Sequence, residues 1–275
     1  MTIWDINEYR EAGMARMAAL SRDEVAEINA HIDAYLATSQ YGVVAEDFPP
    51  VARAVHGLHL VEPFFEALSR RPMILDAVEA ILESPVYVHQ FKVNLKAARV
   101  GESWPWHQDF IFWNELDGIA RPDLVNVAIH LSDADAQSGP LEYFPGSHQW
   151  GNICKRPPQR QRLDEGDAAW LSNVGRDLTF QACPDEVSKR VAGRAPIAAT
   201  RAAGDIDFFH PQLVHGSGKN LSPHDRRLLI ITYNTIDNAP NAARESQRPE
   251  FLCSREFTPA RTCRTALAAQ STFGE

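Results

Sequence analysis

A histidine and an aspartate stand two positions apart in an aromatic stretch of the chain. They are His107 and Asp109, within the segment SWPWHQDFIFW at residues 103–113. On a β-strand, positions i and i+2 face the same side, so these two side chains would share a face while Gln108 turns away. An imidazole nitrogen beside a carboxylate oxygen supplies two metal ligands, and a third is needed to hold an ion by one face.

A later apolar stretch contains two candidates for that third ligand. His210 and His215 both lie in DFFHPQLVHGSGKN. His215 ends an apolar run before a glycine-containing turn, whereas His210 precedes Pro211, which favours a kink or a strand edge. We therefore prefer His215. With His107 and Asp109 it completes a 2-His-1-carboxylate triad, the ligand set that holds Fe(II) and leaves positions open for O2 and a co-substrate.

An oxygenase with such a centre also needs an acid that chelates the iron and supplies two electrons. The usual acid, 2-oxoglutarate, has a distal carboxylate that a permanently charged arginine can bind through two hydrogen bonds. Arg226 and Arg227 open the segment RRLLIITYN, and strand alternation turns one inward and the other to solvent. Ser217 is either a further contact to 2-oxoglutarate or a turn serine.

Hydrophobic periodicity divides the elements that must position these residues into two kinds. In an N-terminal part of about residues 1–85, the segments LSRDEVAEINAHIDAYL and PFFEALSRRPMILDAVEAIL predict helices, with a capping box at Ser21 and Glu24. The stretch between them, residues 41–59, is expected to be irregular. From residue 86 to about 238, short alternating segments predict strands. This order predicts an antiparallel β-sandwich or barrel with helices packed outside.

The length and composition limit what the protein is expected to do. We expect the 275 residues to form a single domain, with a lid insertion at about 150–203 and a surface tail at 239–275. The formal charge is −9, and no run of Lys and Arg predicts binding to nucleic acid or to a membrane surface. Neither a membrane-spanning stretch nor a secretory signal is evident. Four scattered cysteines indicate reduced thiols and a cytoplasmic location.

Together these residues resemble the phytanoyl-CoA dioxygenase superfamily of Fe(II)/2-oxoglutarate oxygenases. The match rests on His107-Gln108-Asp109, on HGSGKN from His215, on Arg226, and on the GPLEYFPGSHQWG segment. VYVHQFKVN is similar to the strand of ectoine hydroxylases that contacts 2-oxoglutarate, which implies that role for Gln90 and Asn94. WHQDFIFWNELDG and LLIITYNTIDNAP are more similar to bacterial free-amino-acid hydroxylases of the leucine type. The resemblance implies a double-stranded β-helix, a cupin-like jelly roll.

The resemblance also implies the reaction, with Fe(II), 2-oxoglutarate and O2 as cofactor and co-substrates. A C–H bond of a small substrate would be hydroxylated with release of succinate and CO2, and no separate acid or base is expected. Our first choice of substrate is a leucine-like free amino acid, followed by a cyclic metabolite such as ectoine or proline, then a natural-product intermediate. The alternatives are a non-catalytic binding module and a metal-dependent isomerase.

Four residues are candidates for the substrate wall. By strand alternation, Trp113 would face the metal while Phe110 and Phe112 face away. Arg53 and His59, with His56 in the same VARAVHGLH segment, could anchor a substrate carboxylate or belong to a loop packed on the barrel.

Overall fold

The computed structural model describes residues 5–18, 20–155, 169–175, 177–191, 193–240 and 248–263. Its α-helices are α1 (Ile6–Ala12), α2 (Arg22–Thr38), α3 (Leu58–Val61), α4 (Pro63–Ser69), α5 (Pro72–Leu82), α6 (Phe110–Asp117) and α7 (Pro184–Val191). Its strands are β1 (Met14–Ala18), β2 (Val43–Ala45), β3 (Ala52–His56), β4 (Val86–Lys96), β5 (Trp104–His107), β6 (Leu124–His130), β7 (Glu142–Tyr143), β8 (Cys154–Lys155), β9 (Gln181–Ala182), β10 (Ile197–Ala198), β11 (Asp205–Phe209), β12 (His215–Ser217) and β13 (Arg226–Thr235). None of these helices is long and apolar enough to cross a membrane.

The N-terminal helices begin where the sequence signals predict. The Ser21 hydroxyl accepts a hydrogen bond from the Glu24 amide, and the Glu24 carboxylate accepts one from the Ser21 amide, so the capping box before α2 is confirmed. The second helical segment is two helices rather than one. Arg70 caps α4 and Pro72 starts α5, because proline fits the first helical turn but cannot continue a helix.

The stretch at residues 41–59 is not irregular, and that expectation was wrong. Residues 43–45 and 52–56 form β2 and β3, which pair antiparallel with each other, and β3 pairs with β4. β1 pairs with β11 at the opposite edge of the same sheet. The N-terminal part therefore supplies three strands as well as helices, because tertiary pairing outweighs the weak local pattern.

Two antiparallel sheets form the β part of the molecule. The larger sheet has the order β1-β11-β6-β13-β4-β3-β2, and the smaller has β10-β7-β12-β5. β8 and β9 form a separate two-stranded ribbon. The crossed strand order brings together β5 and β12, which are about a hundred residues apart in sequence. The antiparallel sandwich predicted from sequence is confirmed.

Alternation along the central strands gives the large sheet two different faces. One face packs its apolar side chains against the N-terminal helices, as Phe91, Val93 and Leu95 of β4 do. The other face lies toward the small sheet. On β4 it presents a polar row: Gln90, Lys92, Asn94 and Lys96. On β6 and β13 it presents Asn126, Arg226 and Thr232. The site must therefore lie between the sheets.

The insertion and the tail both contribute to the region around that inner face. Within residues 150–203, the structure describes β8, a 3-10 helix at Ala169–Asn173, β9, α7 and β10, while residues 156–168 of the expected lid lie outside the described residues. The tail, expected at the surface, buries Leu252 and Cys253 and hydrogen-bonds the main chain of His89 through Ser254. The tail is thus partly a component of the fold.

Candidate metal centre and active site

Three buried side chains converge at one end of the sandwich. His107 ends β5, His215 opens β12, and the two are cross-strand partners. His107 Nε2 lies 3.6 Å from Asp109 Oδ1, and His215 Nε2 lies 3.8 Å from Asp109 Oδ2. One donor atom from each of the three lies within 4.8 Å of the other two. The structure therefore assembles the triad predicted from sequence.

Hydrogen bonds behind the two imidazoles orient them as metal ligands. His107 Nδ1 lies 2.7 Å from the carbonyl oxygen of Pro105, and His215 Nδ1 lies 2.9 Å from that of Leu213. A carbonyl only accepts, so each Nδ1 must carry a proton, and each Nε2 is the ring nitrogen that lies toward Asp109. Ligating histidines are typically held in this way.

The electrostatics of the triad favour a cation at its centre. Burial lowers the pKa of His215 to about 3, with His107 adding to the effect, so this imidazole is neutral. Burial alone would raise the pKa of Asp109, but Lys92 and the two histidines hold it well below its ordinary value. Two imidazole nitrogens and one carboxylate are the donor set that suits Fe(II) with open coordination positions.

A polar chain behind Asp109 fixes the carboxylate. Asn126 Nδ2 donates to Asp109 Oδ2 at 2.9 Å, and Thr232 Oγ1 donates to Asn126 Oδ1 at 2.6 Å. Both residues are fully buried on the inner face of the large sheet. Because an ionised carboxylate only accepts, the amide nitrogen of Asn126 must point at Asp109, which leaves its oxygen to accept from the Thr232 hydroxyl. No sequence motif marks this pair.

The local structure around the His-x-Asp pair differs from the expected strand. β5 stops at His107, and Asp109, at φ −66° and ψ −38°, is the residue from which α6 begins. The expectation that Phe112 faces away from the metal pair was therefore wrong, because Phe112 lines the cavity and packs edge-on against His107. Trp113 also lines the cavity, although from a helix rather than a strand.

The residues expected to bind 2-oxoglutarate lie together on the cavity wall. Arg226, Gln90, Asn94 and Ser217 all line this cavity, which is partly open to solvent. Arg226 Nη2 donates to the Gly139 carbonyl, but its Nε and Nη1 are buried with no partner among the described residues. Asn94 Oδ1 is likewise buried and unpaired within the described chain. These orphaned polar atoms fit a polar ligand.

The neighbouring arginine is placed differently. Arg227 lies on the opposite face of β13, and its guanidinium donates to Asp33 of α2 at 2.7 Å. Strand alternation therefore separates the two arginines as expected, with Arg226 turned inward.

Two of the expected substrate residues do not reach the cavity. Arg53 is bound by Glu46 through both carboxylate oxygens, donates to the Ser103 carbonyl and stacks on Trp104. His59 stacks on Phe91 instead, and burial lowers its pKa to about 4. The expected anchoring role is therefore wrong for both, since each side chain is committed elsewhere.

From the same segment, it is His56 that lines the cavity. Burial lowers its pKa to about 3, with Lys92 and Arg248 adding to the effect. Neither ring nitrogen has a hydrogen-bond partner in the described part of the chain. A neutral imidazole without partners in a cavity wall fits a ligand with both donor and acceptor groups.

Two cationic residues of the cavity were missed in the sequence. Lys92 lies between Gln90 and Asn94 on the same face of β4, with its Nζ 3.6 Å from Asp109 Oδ1. Period-two alternation from Gln90 could have found it. Arg248 reaches the cavity from the tail, held through Nε and Nη2 by the buried Asp117. No local pattern marks Arg248.

The insertion closes part of the cavity. Asn173 and Val174 of the 3-10 helix region, with Leu178, line it beside Arg248. The described part of residues 150–203 thus covers the site, as a lid would.

Comparison with known proteins agrees with this geometry. The phytanoyl-CoA dioxygenase (PhyH) family matches residues 9–228 of the chain. The chain belongs to this family. Its membership confirms the family predicted from the sequence motifs. With the triad in place, it confirms the prediction of an Fe(II)- and 2-oxoglutarate-dependent dioxygenase.

Relatives within the family include hydroxylases of small molecules. L-proline trans-4-hydroxylase of Streptomyces griseoviridis is 39% identical over 243 residues, which are 87% of each chain. Ectoine dioxygenase of Stutzerimonas stutzeri is 31% identical over 212 residues, 75% of this chain and 67% of the relative. The match to S. griseoviridis thus spans most of both proteins.

Solved structures share the fold. The crystal structure of EctD from S. alaskensis with 2-oxoglutarate and 5-hydroxyectoine superimposes with a TM-score of 0.78 at 23% identity, covering 95% of this chain and 87% of that chain. The structure of EctD with bound Fe gives a TM-score of 0.77 with the same coverage. The jelly-roll fold predicted from the resemblance is confirmed.

Proposed function

We propose that this family member hydroxylates an unactivated C–H bond of a small free amino acid, coupled to conversion of 2-oxoglutarate into succinate and CO2. The observation that carries the proposal is the buried cluster of His107, Asp109 and His215, whose donor atoms lie within 4.8 Å of one another in a cavity that also contains Arg226. We expect the enzyme in the cytoplasmic fraction of expressing cells, where 2-oxoglutarate is available.

The residues divide the work between metal, co-substrate and substrate. Fe(II), when bound, supplies the oxygen chemistry. The protein positions the two substrates and excludes water from the site. The triad holds the ion by one face. Arg226, two of whose buried nitrogen atoms have no partner among the described residues, binds the distal carboxylate of 2-oxoglutarate, and Asn94 and Gln90 line the same cavity. The described part of the insertion shields the reacting carbon from bulk water.

The charges around the cavity favour a substrate with a carboxylate. A ferrous ion and doubly ionised 2-oxoglutarate cancel each other. Asp117 offsets Arg248 through their direct ion pair. Asp109 is then one carboxylate against two cations of the described lining, Arg226 and Lys92, so one positive charge is left in excess, and Lys92 is the cation that lies close to the triad. A substrate carboxylate placed near Lys92 would neutralise it, which is favourable in a buried site.

Other parts of the wall suit the remainder of an amino acid. The neutral, unpartnered imidazole of His56 can accept a hydrogen bond from an amino or imino group. Phe112 and Trp113 supply an apolar surface on the same cavity for an aliphatic ring or side chain. Of the basic side chains on the described wall, Arg248 is paired with Asp117, Lys92 lies beside Asp109 and Arg226 is assigned to 2-oxoglutarate, so they do not form a common site for the phosphates of an acyl-CoA.

For the substrate itself we propose L-proline or a closely similar cyclic amino acid. The support is the 39% identity to L-proline trans-4-hydroxylase across 87% of both chains. Leucine, the first choice from sequence motifs, stays a prediction and is the natural competitor in the test. Ectoine is the third candidate because of the ectoine dioxygenase relatives.

A substrate screen tests the proposal. The purified enzyme is incubated with Fe(II), ascorbate, 2-oxoglutarate and each of proline, leucine and ectoine, and products are analysed by mass spectrometry for the gain of one oxygen atom. We expect hydroxyproline together with an equal amount of succinate. Oxygen gain on leucine or ectoine alone would overturn the choice of proline. Absence of succinate in every reaction, with or without substrate, would overturn the oxygenase and favour an isomerase or a binding module.

A further inference from the structure

A buried lysine lies directly behind the proposed 2-oxoglutarate site. Lys96, the last residue of β4, is 1% exposed. Its Nζ donates to the Ser217 hydroxyl oxygen at 2.8 Å, and also lies in hydrogen-bond contact with the main-chain carbonyls of Gly218 and Gly139. The Gly139 carbonyl is the same one that accepts from Arg226. Lys96 is thus linked to both Ser217 and Arg226.

The direction of these hydrogen bonds determines where the Ser217 proton points. An ammonium has three donors and no acceptor, and a carbonyl only accepts. When Lys96 donates to Ser217 Oγ, the single hydroxyl proton of Ser217 must find another acceptor. The described residues supply no acceptor for it, and Ser217 lines the cavity beside Arg226 and Asn94. The proton therefore points to whatever occupies that end of the cavity.

Among the described residues, the carboxylates near Lys96 do not balance the positive charges around it. Burial lowers the pKa of Lys96 to about 5, with Arg226 of β13 and Arg53 of β3 adding to the effect. Glu46, which follows β2, and Glu142 of β7 oppose it. Burial, with Arg53, also lowers the pKa of Arg226 to about 10. Glu46 is already paired with Arg53, so the cluster favours an incoming anion.

We propose that Lys96 is a positioning residue that holds the Ser217 hydroxyl as a hydrogen-bond donor to the distal carboxylate of 2-oxoglutarate. This inference rests on the proposed placement of that carboxylate at Arg226. Binding of the co-substrate draws a proton from solvent onto Lys96, whose ammonium then donates to Ser217. Lys96 thereby contributes to selection of a five-carbon 2-oxo diacid over 2-oxo acids without a second carboxylate.

The first test measures co-substrate binding without turnover. The Fe(II)-loaded enzyme is titrated anaerobically with 2-oxoglutarate, and the visible charge-transfer absorption of the iron–2-oxo acid chelate is followed. Lys96→Met and Ser217→Ala should each weaken binding about 10- to 100-fold, since a hydrogen bond to a charged group contributes about 1.5–3 kcal/mol. The double variant should be no weaker than the weaker single variant, because the two side chains act as one unit.

Two controls make this result specific. Lys219→Met removes a neighbouring exposed lysine paired with Glu102 and should leave the affinity unchanged. With 2-oxopentanoate, which lacks the distal carboxylate, Lys96→Met and the wild type should bind equally. Equal weakening with both acids, or additive effects of Lys96→Met and Ser217→Ala, would overturn the inference.

A measurement on the wild type covers the case in which Lys96→Met does not fold. Calorimetric titration with 2-oxoglutarate in buffers of different ionisation enthalpy gives the number of protons taken up. At pH 7.5 we expect uptake of a substantial fraction of one proton, decreasing as the pH falls toward 5. No uptake, or a release, would overturn the inference. If Arg226→Leu also leaves 2-oxoglutarate affinity unchanged, the proposed placement of the co-substrate is wrong; if only Lys96→Met does, the inference alone fails.

Discussion

Replacement of Asn126 by leucine should weaken iron binding although Asn126 does not touch the metal. Asn126 Nδ2 donates to Asp109 Oδ2 at 2.9 Å, and both residues are buried. Leucine keeps a similar volume but removes the donor, so the carboxylate loses its fixed orientation and one charge-assisted hydrogen bond. Loss of such a partner typically costs about 10- to 100-fold in metal affinity, or about 1.4–2.8 kcal/mol.

A matched variant separates orientation from polarity. Thr232→Val removes the hydroxyl that donates to Asn126 Oδ1 at 2.6 Å but keeps the amide itself. The amide then loses its second anchor, so it is held less firmly in the orientation that donates to Asp109. We expect a smaller loss than for Asn126→Leu, about 2- to 10-fold, in line with one neutral hydrogen bond.

The assay is anaerobic competition for Fe(II) against a chelator of known affinity, without 2-oxoglutarate. Affinity for 2-oxoglutarate at saturating Fe(II) serves as the control and should change by less than about threefold, because Arg226 is untouched. Wild-type iron affinity in Asn126→Leu would refute the reasoning. So would a larger loss in Thr232→Val than in Asn126→Leu.

Three further predictions concern the cavity and its support. Arg226→Ala should raise the KM for 2-oxoglutarate by at least about 30-fold, because a buried charged partner of its distal carboxylate is lost. Arg227→Ala breaks a partly exposed pair with Asp33 and should change this KM by about twofold or less. Similar effects of the two variants in steady-state kinetics would mean that the wrong arginine is assigned. Lys92→Met should raise KM for the amino acid about tenfold or more with little change in 2-oxoglutarate affinity, and an unchanged substrate KM would place the carboxylate elsewhere. Asp117→Asn should cost about 3–5 kcal/mol of stability near pH 7, because it leaves Arg248 buried without its anion. Burial raises the pKa of Asp117, but Arg248 and His89 lower it below its ordinary value, so the stabilisation is full above the unfolded-state pKa of about 4 and is lost as pH falls. The difference in Tm between wild type and Asp117→Asn should therefore narrow under acid conditions, and a constant difference would contradict the pairing.

The sequence was sufficient for the metal ligands even where it misjudged their local structure. His107 and Asp109 were expected on one strand, yet Asp109 begins a helix. The two side chains still meet, because His107 ends β5 and Asp109 precedes the first turn of α6, and at this junction their donor atoms lie 3.6 Å apart. The helix had its own signal in Gly118, which ends α6 at φ 75°, a conformation that favours glycine.

The errors at the substrate side have a different cause. Arg53 is held by Glu46 across a loop, and nothing in the local pattern of either residue shows that they meet. β3 was not anticipated, so its alternation could not be used to select His56 over Arg53. Arg248 reaches the cavity only through the long-range path of the tail, which no periodicity reveals.

By contrast, Lys92 could have been predicted as a cavity residue from the sequence. It lies two residues from both Gln90 and Asn94, on a strand that was correctly predicted. The same alternation continues to Lys96, which lies behind Ser217. Only the three-dimensional contacts distinguish the two lysines, since one lines the cavity and the other donates to the wall behind it.

The central claim is that His107, Asp109 and His215 hold one ferrous ion on which 2-oxoglutarate chelates. Anaerobic titration of the wild type with Fe(II) in excess 2-oxoglutarate should produce the visible charge-transfer absorption, saturating at one iron per chain. His215→Ala and Asp109→Ala should abolish it, whereas His210→Gln should retain it, because His210 packs against Tyr9 and His148 outside the triad. Absorption that persists in His215→Ala, or that disappears in His210→Gln, would contradict the assignment of the metal centre.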